Sequence, residues 1–494
     1  MTTPTPARPA ALVLADQVLD PGTFRSWDAP PVYDRNGTPY TADLARARAR
    51  SGADEAALTG EGLIGGHRVA VLLSEFTFLA GSIGTATAAR LLAAVERATA
   101  ERLPLIAFPA SGGTRMQEGT PAFVRMIAIA NAVTAHKAAG LPYLVHLRHP
   151  TTGGVLASWG SLGQSTTAEP GALVGFLGPR VYEALYGAPF PAGVQQAEHL
   201  DRFGTVDAVL EPAALRERLI AALGILTAPR PLGPVAEQPA APVPAGEPAW
   251  RSVTLTREPD RPGLAELLAR AEAVVPLSGT GAGERDDALR LALARLDGVG
   301  CVVVGHDRAA AAVHGPVGPG ALRTARRGMR LAAELRLPLL TVIDTHGAVL
   351  SRAAEEGALA GEIARCVAEQ SALPVPVVTL LLGEGAGGAA LALLPADRAL
   401  AMEHAWLSPL PPEGASVILH RTPDLAPQLA DQQRINARQL LTEGVVDRIL
   451  PEPVGEPAAA FTHRVLAELA TELRRAAALA VPSTRLNRFR TLGG

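Results

Sequence analysis

Cysteine, lysine and aromatic side chains are all scarce in this chain of 494 residues. Its two cysteines, Cys301 and Cys366, are too few for a disulfide framework or for a zinc site with four cysteine ligands. Lys137 is the sole lysine, so arginine carries nearly all the positive charge. This bias accompanies abundant Ala, Gly and Pro, and we interpret it as a property of overall composition that indicates no particular function.

Neither sign of charge is in large excess. The 45 Lys and Arg residues against 48 Asp and Glu residues give a net charge of −3 and a pI near 6.4, which argues against general binding of nucleic acid. No uncharged apolar run is long enough to span a bilayer. Arg8 and Asp16 interrupt the N-terminal apolar stretch, which argues against a signal peptide. We therefore expect a cytoplasmic protein that binds neither membrane nor nucleic acid.

Short apolar segments alternate with segments of helical periodicity along the whole chain. This alternation predicts an α/β fold, and the length is sufficient for two domains with separate cores. Residues 228–249 are rich in Pro and Ala, which predicts a semi-rigid linker between domains at 1–227 and 250–494. In the first domain the predicted strands and helices are 67–73, 85–100, 103–108, 121–139, 142–147 and 155–162.

A glycine turn lies at the centre of the first domain. Gly153 and Gly154 stand between the predicted strand at 142–147 and the predicted helix at 155–162. The first N–H groups of a helix have no partner within it, and glycine allows a ligand to approach the backbone because it has no Cβ. The turn therefore predicts a backbone site for an oxyanion.

The second half repeats this pattern. A predicted strand followed by residues 344–348 echoes 103–113, a strand followed by Gly383–Gly388 echoes the central strand and turn, and residues 443–450 echo 204–210. Three blocks recur in the same order at similar spacing, which predicts an internal duplication.

Long motifs carry a family resemblance. Residues 12–225 resemble the beta subunit of bacterial acetyl-CoA carboxylase carboxyltransferase, and residues 250–475 resemble its alpha subunit. The motifs of the first part are LDPGTF (19–24), FLAGSIGT (78–85), RLPLIAFPASGGTRMQEG (102–119), GLPYLVHLRHPTTGGVLAS (140–158) and AEPGALVGFLGPR (168–180). Those of the second are WRSVTLTREPDRP (250–262), RLPLLTVIDTHGA (336–348), VPVVTLLLGEGAGGA (375–389), PPEGAS (411–416) and VVDRILPEP (445–453).

The resemblance implies two tandem crotonase-like domains of repeated ββα units, fused with the beta-type domain first. It implies a carboxyltransferase that moves CO2 from carboxybiotin to the α-carbon of acetyl-CoA or another short acyl-CoA. Two oxyanions then need backbone donors, one on the thioester and one on the biotin ureido group. The thioester donors would come from Gly112, Gly113, Gly153 and Gly154, and the biotin donors from Gly347, Ala348, Gly385, Gly387 and Gly388.

The resemblance also implies partners. The chain has neither a biotin-accepting Met-Lys-Met nor an ATP-grasp region, so biotin carboxylase and a biotin carboxyl carrier protein are expected as separate proteins. The family's active site lies between a beta-type domain of one protomer and an alpha-type domain of another, so a homodimer or a larger assembly is expected. The zinc ribbon typical of the beta subunit is missing here, and no zinc is expected.

Two departures from the family pattern fall in the second half. The usual DTPGAYPG becomes Asp-Thr-His-Gly-Ala-Val-Leu-Ser at 344–351, and the lysine-rich segment shrinks to residues 306–308 and an alanine run. Two other functions therefore stay open: a decarboxylase that uses the same enolate chemistry, and a non-catalytic paralogue that only binds partners.

Further residues allow two interpretations each. Arg323, Arg326, Arg327 and Arg330 share one helical face, which suits either a seat for CoA phosphates or the carrier, or a solvated surface. Residues 383–388 satisfy G-x-G-x-x-G, so a dinucleotide site is a formal alternative, although no acidic residue follows at the usual distance. His149, His306 and His346 lie in separate loops without ligand spacing, which favours isolated histidines over a metal site.

Overall fold

The computed structural model describes residues 8–33, 39–228, 247–453, 455–477, 479 and 483–490. The chain divides into two compact units, Met1–Leu223 and Gly224–Gly494. Most of the predicted linker, residues 229–246, lies outside the described residues.

Apolar strands in the first unit build a seven-stranded mixed sheet. Its order is β1-β2-β3-β4-β5-β7-β9, antiparallel as far as β3 and parallel from there on, while β6 and β8 pair separately. The strands are β1 (Arg25–Ser26), β2 (Ala57–Ile64), β3 (His67–Ser74), β4 (Leu105–Phe108), β5 (Tyr143–Leu147), β6 (Thr151–Thr152), β7 (Ser165–Ala168), β8 (Val174–Gly175) and β9 (Ala208–Val209).

Helices cover this sheet, and their apolar faces build the core with the strands. Buried side chains of β3, β4 and β5 pack against those of the third and fourth helices in one continuous cluster. The helices are α1 (Ala10–Val18), α2 (Pro39–Ser51), α3 (Thr85–Ala100), α4 (Thr120–Ala138), α5 (Gly153–Leu156), α6 (Pro179–Tyr186), α7 (Ala197–Arg202) and α8 (Pro212–Leu226), the last of which runs across the division between the units.

The second unit has the same order of strand directions. Its sheet runs β10-β11-β12-β13-β14-β15-β17, with two antiparallel pairs followed by parallel ones, and β16 pairs with the end of β14. The strands are β10 (Ala273–Leu277), β11 (Leu289–Leu296), β12 (Val299–His306), β13 (Leu339–Thr345), β14 (Val377–Ala386), β15 (Arg398–Met402), β16 (Trp406–Ser408) and β17 (Arg448–Leu450).

The second unit's helices surround its sheet in the same manner. They are α9 (Ala249–Thr256), α10 (Leu264–Leu268), α11 (Arg308–His314), α12 (Pro319–Leu335), α13 (Arg352–Glu356), α14 (Leu359–Ala372), α15 (Gly387–Ala392), α16 (Pro412–His420), α17 (Ala426–Gln432), α18 (Ala437–Thr442), α19 (Ala458–Ala476) and α20 (Ser483–Asn487).

The predicted α/β class is confirmed, with parallel strands in both sheets, and the helix predicted at 85–100 has those bounds. The helix predicted at 155–162 is wrong in extent. The structure has one helical turn, α5, followed by a 3-10 turn at Trp159–Ser161. The turn ends at Ala157, and Ser158 has φ −139° and ψ −117°, outside helical geometry. The glycine bend therefore leads into a single turn of helix, whose macrodipole is small, and its donors have to be considered one by one.

Candidate active site

The first bend is formed where β6 passes into α5. Thr152 is extended, and Gly153 follows with φ +62°, a conformation that costs glycine little. The Gly153 N–H donates to the Phe176 carbonyl at 2.9 Å. That N–H is therefore used within the fold, and Gly153 serves to turn the chain.

The loop after β4 faces this bend. Its Gly113 has φ +107°, and the Gly113 N–H donates to Ser111 Oγ at 3.0 Å. The same hydroxyl donates to the Gly81 carbonyl at 2.6 Å, while the Gly112 N–H donates to the Ala80 carbonyl at 2.9 Å. Both predicted glycine donors of this loop are therefore engaged in holding the loop in place.

Two backbone donors at this bend remain. Gly154 is the second residue of α5, where the helix itself supplies no acceptor, and Thr114 follows Gly113. Among the described residues, no loop or side-chain oxygen accepts a hydrogen bond from either N–H. The two residues are neighbours, because a Cβ on Gly154 would lie 3.2 Å from Thr114 Oγ1, and one on Gly113 would lie 3.4 Å from the Gly154 nitrogen.

Thr114 was missed by sequence reasoning, which assigned this loop's donors to the glycines. The sequence holds a signal for Thr114, because Ala348 is a predicted donor in the corresponding loop of the second half. Matching the glycine at positive φ in each loop pairs Gly113 with Gly347, and therefore Thr114 with Ala348.

The second unit repeats the backbone conformation of the bend and the hydrogen bond from its glycine to a hydroxyl. Gly387 begins α15 with φ +66°, and Gly347 has φ +129°. The Gly347 N–H donates to Thr345 Oγ1 at 3.1 Å, as the Gly113 N–H does to Ser111. Gly388 is the second residue of α15 and Ala348 follows Gly347, so these two N–H groups correspond to those of Gly154 and Thr114. In the described part of this unit, no loop or side-chain oxygen accepts from them.

Gly385 has a different place. It lies inside β14, opposite Thr345 on one side and Leu407 on the other. A Cβ on Gly385 would lie 2.7 Å from the Trp406 carbonyl, so the close approach of β16 accounts for this glycine. Gly383 also lies within β14, where a Cβ would meet the Asp344 carboxylate at 2.5 Å. Residues 383–386 of the G-x-G-x-x-G sequence therefore belong to β14, and only Gly387 and Gly388 enter a helix. The first two glycines pack inside a sheet, so the geometry of a dinucleotide-binding loop is not formed.

Buried charges brace the loop of the first unit. Arg115 and Glu55 are both fully buried and paired with each other, and Arg115 also donates to the Ser82 carbonyl at 2.8 Å. Glu118 accepts from Tyr40 Oη and from the Thr85 N–H, each at 2.6 Å. Burial opposes ionisation of Glu118, but these hydrogen bonds lower the pKa of its carboxyl. Because Arg115 follows Thr114 directly, this cluster fixes the Thr114 N–H.

The corresponding loop of the second unit carries a different charged group. The His346 Nδ1 lies 3.4 Å from Glu384 Oε2, and Arg257 Nε donates to Glu384 Oε1 at 2.7 Å. Arg257 also pairs with Glu413. The hydrogen bond with Glu384 raises the pKa of His346, whereas burial and the Arg257 charge act against this rise.

Beneath this loop lie a buried acid and a buried imidazole. Asp344 Oδ1 accepts from the Glu384 N–H at 3.1 Å, and burial raises the pKa of Asp344 to about 6. His306 accepts at Nδ1 from the Asp344 N–H at 3.3 Å, and burial lowers the pKa of His306 to about 3. His306 is therefore neutral near pH 7.

The four predicted arginines lie on α12, but most of their bonds are made within the unit. Arg323 pairs with Glu284 and Glu362, Arg326 with Glu362 and Glu369, and Arg327 donates to the carbonyls of Ser278 and Gly279. Arg330 is exposed and contacts no carboxylate of the described residues. A binding site for phosphate on this face stays a prediction, and Arg330 is the arginine most accessible to such a ligand.

His149 is the third histidine considered for a metal site, after His306 and His346. Its Nδ1 accepts a hydrogen bond from the Leu173 N–H. Within the described ranges, His, Cys, Asp and Glu form no group of three or more placed to hold a metal ion. Every helix in those ranges is too short or too polar to cross a lipid bilayer.

Comparisons with known proteins found a family model and relatives that match most of the chain. The carboxyl transferase domain model matches residues 12–456. A probable biotin-dependent acyl-coenzyme A carboxylase beta3 subunit of Mycobacterium tuberculosis is 55% identical over 487 residues, covering 97% of this chain and 98% of the relative. The acetyl-coenzyme A carboxylase carboxyl transferase subunits beta/alpha of Salinispora arenicola are 38% identical over 508 residues, covering 97% and 89%.

Among solved structures, the transcarboxylase 12S hexamer with bound methylmalonyl-coenzyme A superimposes with a TM-score of 0.74. The match covers 96% of this chain and 90% of that one at 20% identity, so it supports a shared fold and nothing finer.

Proposed function

The chain belongs to the carboxyl transferase family of biotin-dependent acyl-CoA carboxylases, and from this premise we propose that it transfers CO2 between carboxybiotin on a carrier protein and a short acyl-CoA such as acetyl-CoA. One observation carries the proposal. Each unit presents the same pair of backbone N–H groups at the same bend, and neither pair is used by loops or side chains of the described residues.

The chemistry requires two such pairs. Removing the α-proton of a thioester places negative charge on its oxygen, and releasing CO2 from carboxybiotin places negative charge on the ureido oxygen. We assign the Thr114 and Gly154 N–H groups to the thioester oxygen and the Ala348 and Gly388 N–H groups to the ureido oxygen. Donors fixed in advance stabilise such charge without reorganisation, and losing one costs about 3–4 kcal/mol.

The proton transfer needs no side-chain base on this account. When CO2 leaves carboxybiotin, the ureido nitrogen is left basic and takes the α-proton, and the enolate carbon then forms its bond to CO2. The residues of the chain hold the two oxygens and fix their orientation.

The assignment of the two sides follows the resemblance of the first unit to beta subunits and of the second to alpha subunits. The equal strand order of the two sheets and the matched bends support an internal duplication. Biotin carboxylase, a carrier protein and further copies of this chain complete the proposed enzyme.

The function is tested by malonyl-CoA-dependent carboxylation of biocytin with purified protein. Gly154→Val places a Cβ 3.2 Å from Thr114 Oγ1 and 3.7 Å from Met126 Cγ and so crowds the bend. We expect a loss of about 100-fold or more in kcat with the fold retained. Gly224→Ala is the matched control, because a Cβ there meets nothing within 4 Å. If the Gly154 variant keeps full activity, the thioester site is wrongly placed.

The acyl group is tested separately. Turnover measured in the forward direction on acetyl-, propionyl-, butyryl- and a long-chain acyl-CoA should be highest for one of the three short chains. A strict preference for long acyl chains would contradict this part of the proposal and leave the carboxyltransferase assignment intact.

A further inference from the structure

The matched bends give His346 a precise counterpart in the first unit. Ser111 and Thr345 each accept from the N–H two residues later, which is that of Gly113 or Gly347. His346 therefore occupies the position of Gly112. The first unit has no side chain there, and the second has an imidazole one residue before Gly347 and two before the open Ala348 N–H.

A buried carboxylate orients this imidazole. Glu384 is only 5% exposed, and its two oxygens are divided between Arg257 and His346. Arg257 approaches Oε1 at 2.7 Å, and His346 Nδ1 lies 3.4 Å from Oε2. The imidazole is otherwise 66% exposed. Nδ1 is thus turned toward the protein, and Nε2 is left for a ligand.

Three charged side chains from different parts of the second unit surround His346. Glu384 lies on β14, Arg257 follows α9, and Glu413 lies on α16. Arg257 is paired with both carboxylates, so a protonated His346 brings this group of two acids and two bases to neutrality. The hydrogen bond with Glu384 raises the pKa of His346, and this effect exceeds the opposing ones of burial and of Arg257.

We propose that His346 is a substrate-binding residue of the biotin side, whose Nε2–H contacts the anionic carboxylate of carboxybiotin next to the Ala348 and Gly388 amides. This inference rests on the proposed function and adds to it a side chain that only the second unit possesses. A cation beside two amide donors suits a substrate that arrives as a carboxylate and leaves its charge on the ureido oxygen.

The test uses the full-length protein and biocytin, with malonyl-CoA as carboxyl donor. His346→Gln keeps a hydrogen-bond donor but no charge, and His346→Gly copies Gly112 of the first unit. At pH 6 we expect both variants to lower kcat/KM for biocytin about tenfold, with the KM for malonyl-CoA unchanged. His463→Gln is the matched control, because His463 is an exposed histidine of the same unit that pairs with no carboxylate of the described residues.

The pH dependence separates binding by a charge from a merely structural role. The charged imidazole is present below the raised pKa and is lost as the pH rises through that pKa. The kcat/KM of wild type divided by that of His346→Gln should therefore fall toward one at alkaline pH. His346→Lys keeps a cation and should restore kcat/KM up to higher pH. A His346→Gln variant equal to wild type at every pH would overturn this inference. Folded wild type without any biocytin carboxylation would instead overturn the proposed function.

Discussion

In each unit, a single hydroxyl group holds in shape the loop that lies beside the glycine bend. Ser111 and Thr345 do the same task with different side chains, since each accepts from the N–H of the glycine two residues later. A small hydrogen-bonded ring therefore forms in the loop after β4 and at the end of β13. It directly precedes the open N–H of Thr114 or Ala348. A serine and a threonine suffice for this because only the oxygen is needed.

Removing either hydroxyl should loosen one loop and leave the other intact. For Ser111→Ala we expect a loss of about 1–3 kcal/mol in the free energy of unfolding, because the buried Gly113 N–H is left without an acceptor. The loss for Thr345→Val should lie at the lower end of this range, because the Gly347 N–H is only partly buried. Activity should fall about tenfold, less than the loss caused by removing a donor outright. Chemical denaturation and biocytin carboxylation measure the two effects. Full activity in both variants would mean that the loops do not need these rings.

The strands that lead into the glycine bend differ between the two units. β14 extends through Ala386 and pairs with β13 on one side and β16 on the other. In the first unit the same path is divided between β5 and β6, with a cis peptide bond at His149–Pro150 between them. In both units the strand is followed by a glycine at positive φ, Gly153 or Gly387, in the corresponding position. The conformation of the bend is therefore shared although the strand before it is not.

Asp344, at the end of β13, should make the stability of the second unit depend on pH. Burial raises its pKa from 3.8 to about 6, so the folded state holds a proton that the unfolded state has lost between these values. Stability from this group is therefore lost as the pH rises from about 4 to about 6. Asp344→Asn keeps an oxygen for the Glu384 N–H, and it should gain on the order of 1–3 kcal/mol relative to wild type over that interval.

Urea unfolding of both proteins at pH 4.5 and 7.5 measures this difference. The Arg308 guanidinium lies 3.7 Å from the carboxylate and favours its charged form. If Asp344→Asn is more destabilising at pH 7.5 than at pH 4.5, the attraction to Arg308 outweighs the effect of burial.

Both units expose large apolar side chains on the surface of a helix. In the first unit Phe123 and Ile127 of α4 are 61% and 63% exposed, and in the second Ile418 and Leu419 of α16 are 60% and 59% exposed. Clusters of exposed apolar side chains are usual where another protein binds. They support the proposed association of several copies of this chain.

Phe123→Glu should therefore shift the protein toward the monomer and abolish biocytin carboxylation. His463→Glu is the control, because His463 of α19 is an exposed polar residue and should tolerate a charge. Sedimentation velocity gives the size of each species at the concentration of the assay. Wild type that is monomeric and fully active at that concentration would contradict this arrangement.

The sequence by itself determined the α/β class, most strands and the two glycine bends, because periodicity, turn residues and long motifs are local properties of the chain. Only the tertiary structure decided which N–H groups stay open. The acceptors that engage Gly112 and Gly153 are the carbonyls of Ala80 and Phe176, which no local pattern could place.

The same reason accounts for Thr114 and for the arginines of α12. Thr114 was passed over in favour of glycines, since conformational freedom can be read from a residue type and a free donor cannot. The helical spacing of the arginines was correct, but Glu284, Glu362 and Glu369 come from elsewhere in the unit and pair with Arg323 and Arg326. Long-range hydrogen bonds and ion pairs form only when the fold brings their partners together.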